Sequence, residues 1–139
     1  MRFIDSNVFL YAMIKPKENT SEKILSRKEK AKKILLKVEN GEEVATTLIH
    51  LSEIANILEA KVNLTTAVRF LENLLLAENV KILPVSVEDY LKAVLVSKEK
   101  GISVNDALAY LKMKELNIRE IYTFDRHFQN LDVKVIQDW

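Results

Sequence analysis

Short apolar runs alternate along the chain with longer segments of helical periodicity, and this alternation constrains the fold more than any other feature. Strands that are apolar over nearly their whole length are typical of parallel sheets covered by helices on both faces. We therefore predict an α/β fold with a central, mostly parallel sheet of four to five strands. The predicted strands are 3–5, 43–46, 80–85, 120–123 and 133–136, the last of them at an edge.

Residues that cap or stop helices mark the segments between these strands. Thr47 and Thr65 are predicted N-caps. Ser86 and Ser103 each precede an aspartate by three residues, which is a carboxylate variant of the capping box. The helix that follows Thr65 has a wide apolar stripe, which suggests contact with a second chain. The predicted helices are 7–14, 21–39, 47–61, 66–77, 86–101 and 103–116.

The length and composition exclude several classes of protein. With 139 residues, the chain fits a single domain, 1–139, that can bury a core without metal or disulfide staples. It has no cysteine, which excludes disulfides, thiolate zinc sites and cysteine nucleophiles. No apolar run approaches the roughly 18 to 20 residues of a membrane span, and an acid stands at position 5. We expect a cytoplasmic protein without a membrane segment.

Although the net charge of the chain is only +1, the segment between positions 15 and 37 is basic, with nine Lys or Arg and three Glu. A basic segment of this kind can attract a polyanion such as RNA, although a solvated helix face has the same composition. Ile24, Ala31, Leu35 and Val38 are predicted to form the buried face of this helix. The cations on another face, the candidate RNA contacts, are Lys23, Arg27, Lys30 and Lys37.

Four acids come from elements that can meet at one edge of the sheet. Asp5 and Asp125 follow predicted strands, and the carboxyl ends of parallel strands share an edge. Asp106 lies in the first turn of a helix, and Glu53 lies about two turns into another helix. Each acid also has a structural interpretation: Asp5 as a helix cap, Asp106 as a favourable charge at a helix N-terminus and Asp125 as a turn residue.

Glu53 is the acid that a structural role explains least well, because apolar neighbours predict that its helix is buried over most of its circumference. Four oxygen donors suit Mg²⁺ or Mn²⁺, as one or two ions, better than zinc. Ser6 and Thr123 are candidates to orient the acids or a metal-bound water. His50 can share a helix face with Glu53 but is interpreted as a helix-surface or core residue rather than a ligand, and no role is assigned to His127. The predicted chemistry is phosphodiester cleavage by a metal-activated water.

These residues resemble the motifs of PIN domains, in particular the VapC-type ribonuclease toxins. The resemblance spans essentially the whole chain, through the segments 3–7, 47–53, 104–108 and 122–128. It implies a three-layer sandwich and Mg²⁺- or Mn²⁺-dependent cleavage of RNA. It also implies an acidic site of Asp5, Glu53, Asp106 and Asp125, a homodimer and, for a toxin, a small antitoxin protein that occupies the groove.

Other functions remain open at this stage. A housekeeping RNA-processing nuclease would share the same residues and chemistry. A non-catalytic RNA-binding or assembly module would keep the fold without turnover. A phosphoacceptor signalling domain also places acids at strand ends, but here the strand 80–85 is not followed by an acid and no late strand ends in a suitable lysine.

Overall fold

The computed structural model describes residues 1–136, so the last three residues of the predicted domain 1–139 lie outside it. Within that range one sheet contains β1 (Arg2–Ile4), β2 (Val44–Thr47), β3 (Val80–Leu83), β4 (Glu120–Tyr122) and β5 (Lys134–Val135). The strand order is β3-β2-β1-β4-β5, and every neighbouring pair is parallel. The predicted α/β fold with a parallel sheet is confirmed, and β5 lies at an edge as predicted.

Six α-helices connect these strands. They are α1 (Ser6–Met13), α2 (Glu22–Glu39), α3 (Leu48–Lys61), α4 (Leu64–Leu76), α5 (Val87–Lys100) and α6 (Val104–Glu115), and a 3₁₀ turn follows at Arg126–Asn130. None of the helices within residues 1–136 has the length and apolar character needed to cross a membrane.

Side chains that alternate along the strands build a core on each side of the sheet. Ile4, Val44 and Tyr122 pack with the residues of α1 to α4 on one face. Phe3 and Ile121 pack on the other face with α6 and with Phe128 of the 3₁₀ turn, and a further cluster joins α5 to α6. The sheet is therefore covered on both sides, as its apolar strands require.

The helix ends follow local hydrogen bonds. Ser86 and Asp89 form the predicted capping box, and Ser103 Oγ accepts the backbone N–H of Asp106. The cap predicted at Thr65 is wrong, because Asn63 accepts the N–H of Thr66 and caps α4 two residues earlier. Gly101 ends α5 with φ at +68°, a conformation that residues with a Cβ rarely adopt.

The buried face of α2 differs in part from the prediction. Ala31, Ile34 and Val38 are its buried residues. Leu35 packs against this core only partly buried. Ile24 stays 40 % exposed, because the first turn of α2 lines a surface groove with Tyr11 instead of reaching the core.

Candidate metal centre

Asp5 lies at the end of the central strand β1, where the chain turns into α1. Its side chain is only 4 % exposed. The backbone N–H of Ser6 donates to Oδ1 at 2.8 Å, and the hydroxyl of Thr123 donates to Oδ2 at 2.7 Å. Burial raises the pKa of Asp5, while His50 and the Thr123 hydrogen bond oppose that shift. Asp5 is thus both the cap of α1 and a held, buried carboxyl group.

Glu53 reaches the same place from α3. Its Oε1 accepts a short hydrogen bond from the hydroxyl of Ser6, and its Oε2 accepts one from Nδ2 of Asn105 at 2.8 Å. The predicted burial of this helix over most of its circumference is wrong, because α3 buries one face only, through residues such as Leu51 and Ile54, and Glu53 itself is half-buried. The side chain bridges the starts of α1 and α6, so its position is set by two other elements.

Asp106 and Asp125 come together from the start of α6 and the end of β4. Asp106 is 6 % exposed. Burial, a hydrogen bond with the Asp125 carboxyl group and the charges of Asp5 and Asp125 together raise the pKa of Asp106 to about 8. In the metal-free protein at neutral pH, Asp106 therefore holds a proton.

His127 lies in the same corner of the site, although no role was predicted for it. Its Nδ1 lies 3.1 Å from Oδ1 of Asp125 and 3.4 Å from Oδ2 of Asp106. One ligand atom from each of these three residues lies within 4.8 Å of the others. The only sequence signal for His127 is its position two residues after Asp125, in a tight turn.

The hydroxyl of Thr123 connects the two strand ends. It donates to Asp5 and accepts the backbone N–H of Asp125 at 3.0 Å. Nδ2 of Asn7 lies 3.4 Å from the same oxygen, while Oδ1 of Asn7 accepts the N–H of Phe124 at 3.3 Å. Asn7 and Asn105 were not predicted as site residues, since an amide beside a helix start has no distinctive pattern.

His50 is fully buried beside Asp5. Thr47 Oγ1 accepts the backbone N–H of His50 and lies 2.6 Å from Nδ1 of the ring. Within residues 1–136 the other ring nitrogen, Nε2, has no hydrogen-bond partner, and it lies 3.8 Å from Oδ1 of Asp5. Burial lowers the pKa of His50 more than the neighbouring Asp5 and Glu53 raise it, so the ring is neutral at neutral pH.

These donors fit a divalent cation. Four carboxyl groups meet at the carboxyl edge of the sheet, and the hydroxyl and amide groups that donate to Asp5 and Glu53 are neutral. Burial raises the pKa values of Asp5 and Asp106, and the neighbouring carboxylates raise them further. Oxygen-rich sites of this kind suit Mg²⁺ or Mn²⁺.

A basic cleft adjoins Asp125. Its volume is about 380 Å³, and its cationic walls are formed by Lys23, Arg27 and Lys30 of α2 together with Arg126. The guanidinium of Arg27 donates to the hydroxyl of Tyr11 at 2.9 Å, which fixes its direction. We call this surface the basic cleft. Lys37, the fourth candidate RNA contact, is exposed on α2 but does not line it.

The comparison with protein families decides the classification. Residues 2–134 match the family model described as PIN domain. The chain belongs to the PIN domain family. The fold and motif resemblance expected from the sequence is thereby confirmed, and the match gives no support to a phosphoacceptor domain. Among curated proteins, no significant match is found.

Solved PIN-domain structures of toxin–antitoxin systems share the fold over nearly the full chain. VapC20 from Mycobacterium tuberculosis, described as a toxin that cleaves the sarcin-ricin loop, is 19 % identical, with a TM-score of 0.73 and coverage of 99 % of this chain and 100 % of that one. A toxin–antitoxin complex from Klebsiella pneumoniae is 15 % identical, with a TM-score of 0.64 and coverage of 100 % and 98 %. VapBC2 from Rickettsia felis, bound to a DNA fragment from its promoter, is 16 % identical, with a TM-score of 0.63 and coverage of 97 % and 96 %. At these identities, the likeness establishes the fold alone.

Proposed function

We propose that this PIN-domain protein is a metal-dependent endoribonuclease and the toxin of a toxin–antitoxin pair. The observation that carries the proposal is the meeting of Asp5, Glu53, Asp106 and Asp125 at one edge of the sheet, beside a basic cleft. A cluster of buried and half-buried carboxylates suits a divalent ion, and a neighbouring cationic surface suits an RNA backbone.

The division of labour among the residues follows from their contacts. Asp5, Glu53, Asp106 and Asp125 would hold Mg²⁺ or Mn²⁺, as one or two ions. When bound, the ion neutralises charge that develops on the phosphate and makes water a stronger nucleophile. Thr123 and Ser6 orient the carboxylates through the hydrogen bonds described above. Asp106 gives up its proton when a cation binds, so cation affinity should rise as the pH approaches about 8.

The basic cleft supplies the substrate surface in this proposal. Lys23, Arg27 and Lys30 can each face a phosphate while the chain of the RNA passes Asp125 at the end of β4. Such contacts position the backbone and do not read its sequence. The RNA that is cleaved is therefore not specified by these residues.

The toxin role rests on the likeness to VapC20 and to the toxin–antitoxin complexes. It implies a small cognate antitoxin protein. Purification from the native host should yield a partner of under about 100 residues, a size at which few chains build a large core alone. Isolation without such a partner would favour a housekeeping RNA-processing nuclease with the same chemistry.

A homodimer is also part of the proposal. Apolar side chains remain exposed on α4 and α5, among them Leu75, Leu76, Leu91 and Leu95, with exposed fractions of 55 % to 80 %. Apolar surface of this kind is typical of protein interfaces. Light scattering of the purified chain should give twice the monomer mass of 16.0 kDa. A monomer at micromolar concentration would contradict the dimer and would leave the nuclease proposal standing.

Cleavage of a labelled RNA tests the enzymatic proposal. Cleavage should require Mg²⁺ or Mn²⁺ and should stop with a chelator. Asp5→Asn and Glu53→Gln should each abolish it, whereas Glu59→Gln, an exposed position on the same helix as Glu53, should leave it unchanged. Undiminished cleavage by the Asp5→Asn protein would overturn the mechanism. Tight, salt-dependent RNA binding without cleavage at any metal concentration would favour the non-catalytic module.

A further inference from the structure

We infer that His127 is a ligand of the divalent cation through Nδ1, together with Asp106 and Asp125. The site would then be a mixed nitrogen and oxygen site rather than one of carboxylates alone. This inference rests on the proposed metal dependence and goes beyond it, because it names an imidazole ligand and predicts which cations the site prefers.

The distances around Nδ1 of His127 support a shared ion. Metal–ligand bonds of about 2.1 Å at right angles place neighbouring ligand atoms roughly 3.0 Å apart. Nδ1 lies 3.1 Å from Oδ1 of Asp125 and 3.4 Å from Oδ2 of Asp106. Charge-assisted hydrogen bonds between nitrogen and carboxylate are shorter, at about 2.7 to 2.9 Å. The spacing therefore matches that of three neighbouring ligands of one ion, and 3.1 Å is also an ordinary N–H···O distance.

A backbone hydrogen bond fixes the position of His127 in the chain next to Asp125. Asp125 caps the 3₁₀ turn by accepting the backbone N–H of His127 at 2.9 Å. That hydrogen bond holds the backbone of His127 beside Asp125, and Nδ1 of the imidazole lies near both carboxyl groups. The His127 side chain is 54 % exposed, so substituting it removes a ligand and no core packing.

A second observation, on another side of the cluster, indicates an incomplete site. Nε2 of His50 is completely buried and makes no hydrogen bond of normal length and angle within residues 1–136; it faces Asp5 at 3.8 Å, and the backbone of Asn105 lies near the ring. A buried polar atom without a partner costs about 1 to 3 kcal/mol. A bound water or ion is one recurring explanation for such an atom in a native protein.

An imidazole ligand changes the preference of the site. Carboxylate and water ligands suit Mg²⁺, whereas imidazole suits later first-row cations, and affinity rises from Mn²⁺ through Co²⁺ to Ni²⁺. With His127 as a ligand, we expect Co²⁺ to bind more tightly than Mg²⁺ by a margin that depends on this one side chain. His127→Asn is the matched variant, because it keeps a polar group near the Nδ1 position and replaces nitrogen with an amide that can offer oxygen.

Pulsed electron paramagnetic resonance of the Mn²⁺-loaded protein without RNA tests the ligand directly. The spectrum should show coupling to a ¹⁴N nucleus of imidazole type. The coupling should disappear in His127→Asn and should persist in His50→Gln, which changes the other histidine near the cluster. Coupling that is absent from the unsubstituted protein, or that survives in His127→Asn, would overturn the inference.

Calorimetry gives a second readout that does not use RNA. His127→Asn should weaken Co²⁺ binding by about tenfold or more, the lower end of effects seen around metal sites, and should change Mg²⁺ binding by less than about threefold. An equal loss for both ions would count against an imidazole ligand. If no divalent ion binds, the metal dependence of the proposed function fails as well. If ions bind without nitrogen coupling, only the role of His127 is refuted.

Discussion

Asp106→Asn should stabilise the metal-free protein at alkaline pH, because it removes a buried carboxyl group whose ionisation lowers the free energy of unfolding. Burial, the hydrogen bond with Asp125 and the nearby charges raise the pKa of Asp106 to about 8. In the unfolded chain the same group has a pKa of about 4. Between these values the folded state keeps a proton that the unfolded state has released, so the free energy of unfolding falls as pH rises from about 4 to about 8.

The size of this effect follows from the pKa difference. Each pH unit in the window contributes about 1.4 kcal/mol, so raising the pH from 5 to 8 removes at most roughly 4 kcal/mol. Solvent reaches the half-buried Asp125 and the exposed His127 and screens part of this energy, so we expect about 2 kcal/mol. Asparagine has the same shape without the charge. It also keeps the backbone N–H that Ser103 accepts.

Urea unfolding followed by circular dichroism, in the presence of EDTA, measures this difference. Between pH 5 and pH 8.5 the unsubstituted protein should lose about 2 kcal/mol more than Asp106→Asn. Asp5, whose pKa is also raised, titrates in both proteins; because its charge acts on Asp106, the measured difference includes the coupling between the two carboxyl groups. Glu59→Gln, which removes an exposed carboxylate, should behave like the unsubstituted protein. A gap between the unsubstituted protein and Asp106→Asn that is the same at both pH values would refute the reasoning.

Three further predictions concern individual contacts. Thr123→Val removes the hydroxyl that donates to Asp5 and should lower Mn²⁺ affinity by roughly 10- to 100-fold in calorimetry. Thr123→Ser should retain most of this affinity, and equal losses of affinity in the two variants would contradict a hydrogen-bonding role. Nitrogen NMR should find the proton of neutral His50 on Nε2, because the Thr47 hydroxyl lies against Nδ1. A proton on Nδ1 would show that the ring directs no N–H at Asp5. A third variant replaces with glutamine the three lysine and arginine residues that α2 contributes to the basic cleft. The slope of log affinity for single-stranded RNA against log salt should become shallower by about two. Lys37→Gln should leave the slope unchanged, and an equal effect from Lys37→Gln would argue against the cleft.

The sheet and its acidic edge could be predicted because both follow from short-range rules. Nearly continuous apolar strands indicate a parallel sheet, and parallel strands bring the residues after them to one edge. Asp5 and Asp125 meet for that reason. The strand bounds differ from the predictions by one or two residues, since pairing register depends on tertiary packing. β2, for example, begins at Val44 and pairs with Arg2 of β1.

The contacts of the amide and imidazole side chains could not be predicted in the same way. Asn105 donates to Glu53 only because the start of α6 packs against α3, and His127 reaches Asp106 across 21 residues of sequence. Lys112 shows the same limit. Its side chain is buried, which is unusual for lysine, because its ammonium group forms an ion pair with Asp89 on α5, with Nζ 2.9 Å from Oδ2.

Joint titration with Mn²⁺ asks whether one cation-binding cluster performs RNA cleavage. The cleavage rate of a labelled RNA and the Mn²⁺ occupancy of the protein should rise together over the same concentration range, and both should fall sharply in Asp5→Asn. Cleavage that continues in EDTA, or a fully occupied site that cleaves no RNA of any sequence or structure, would contradict the account.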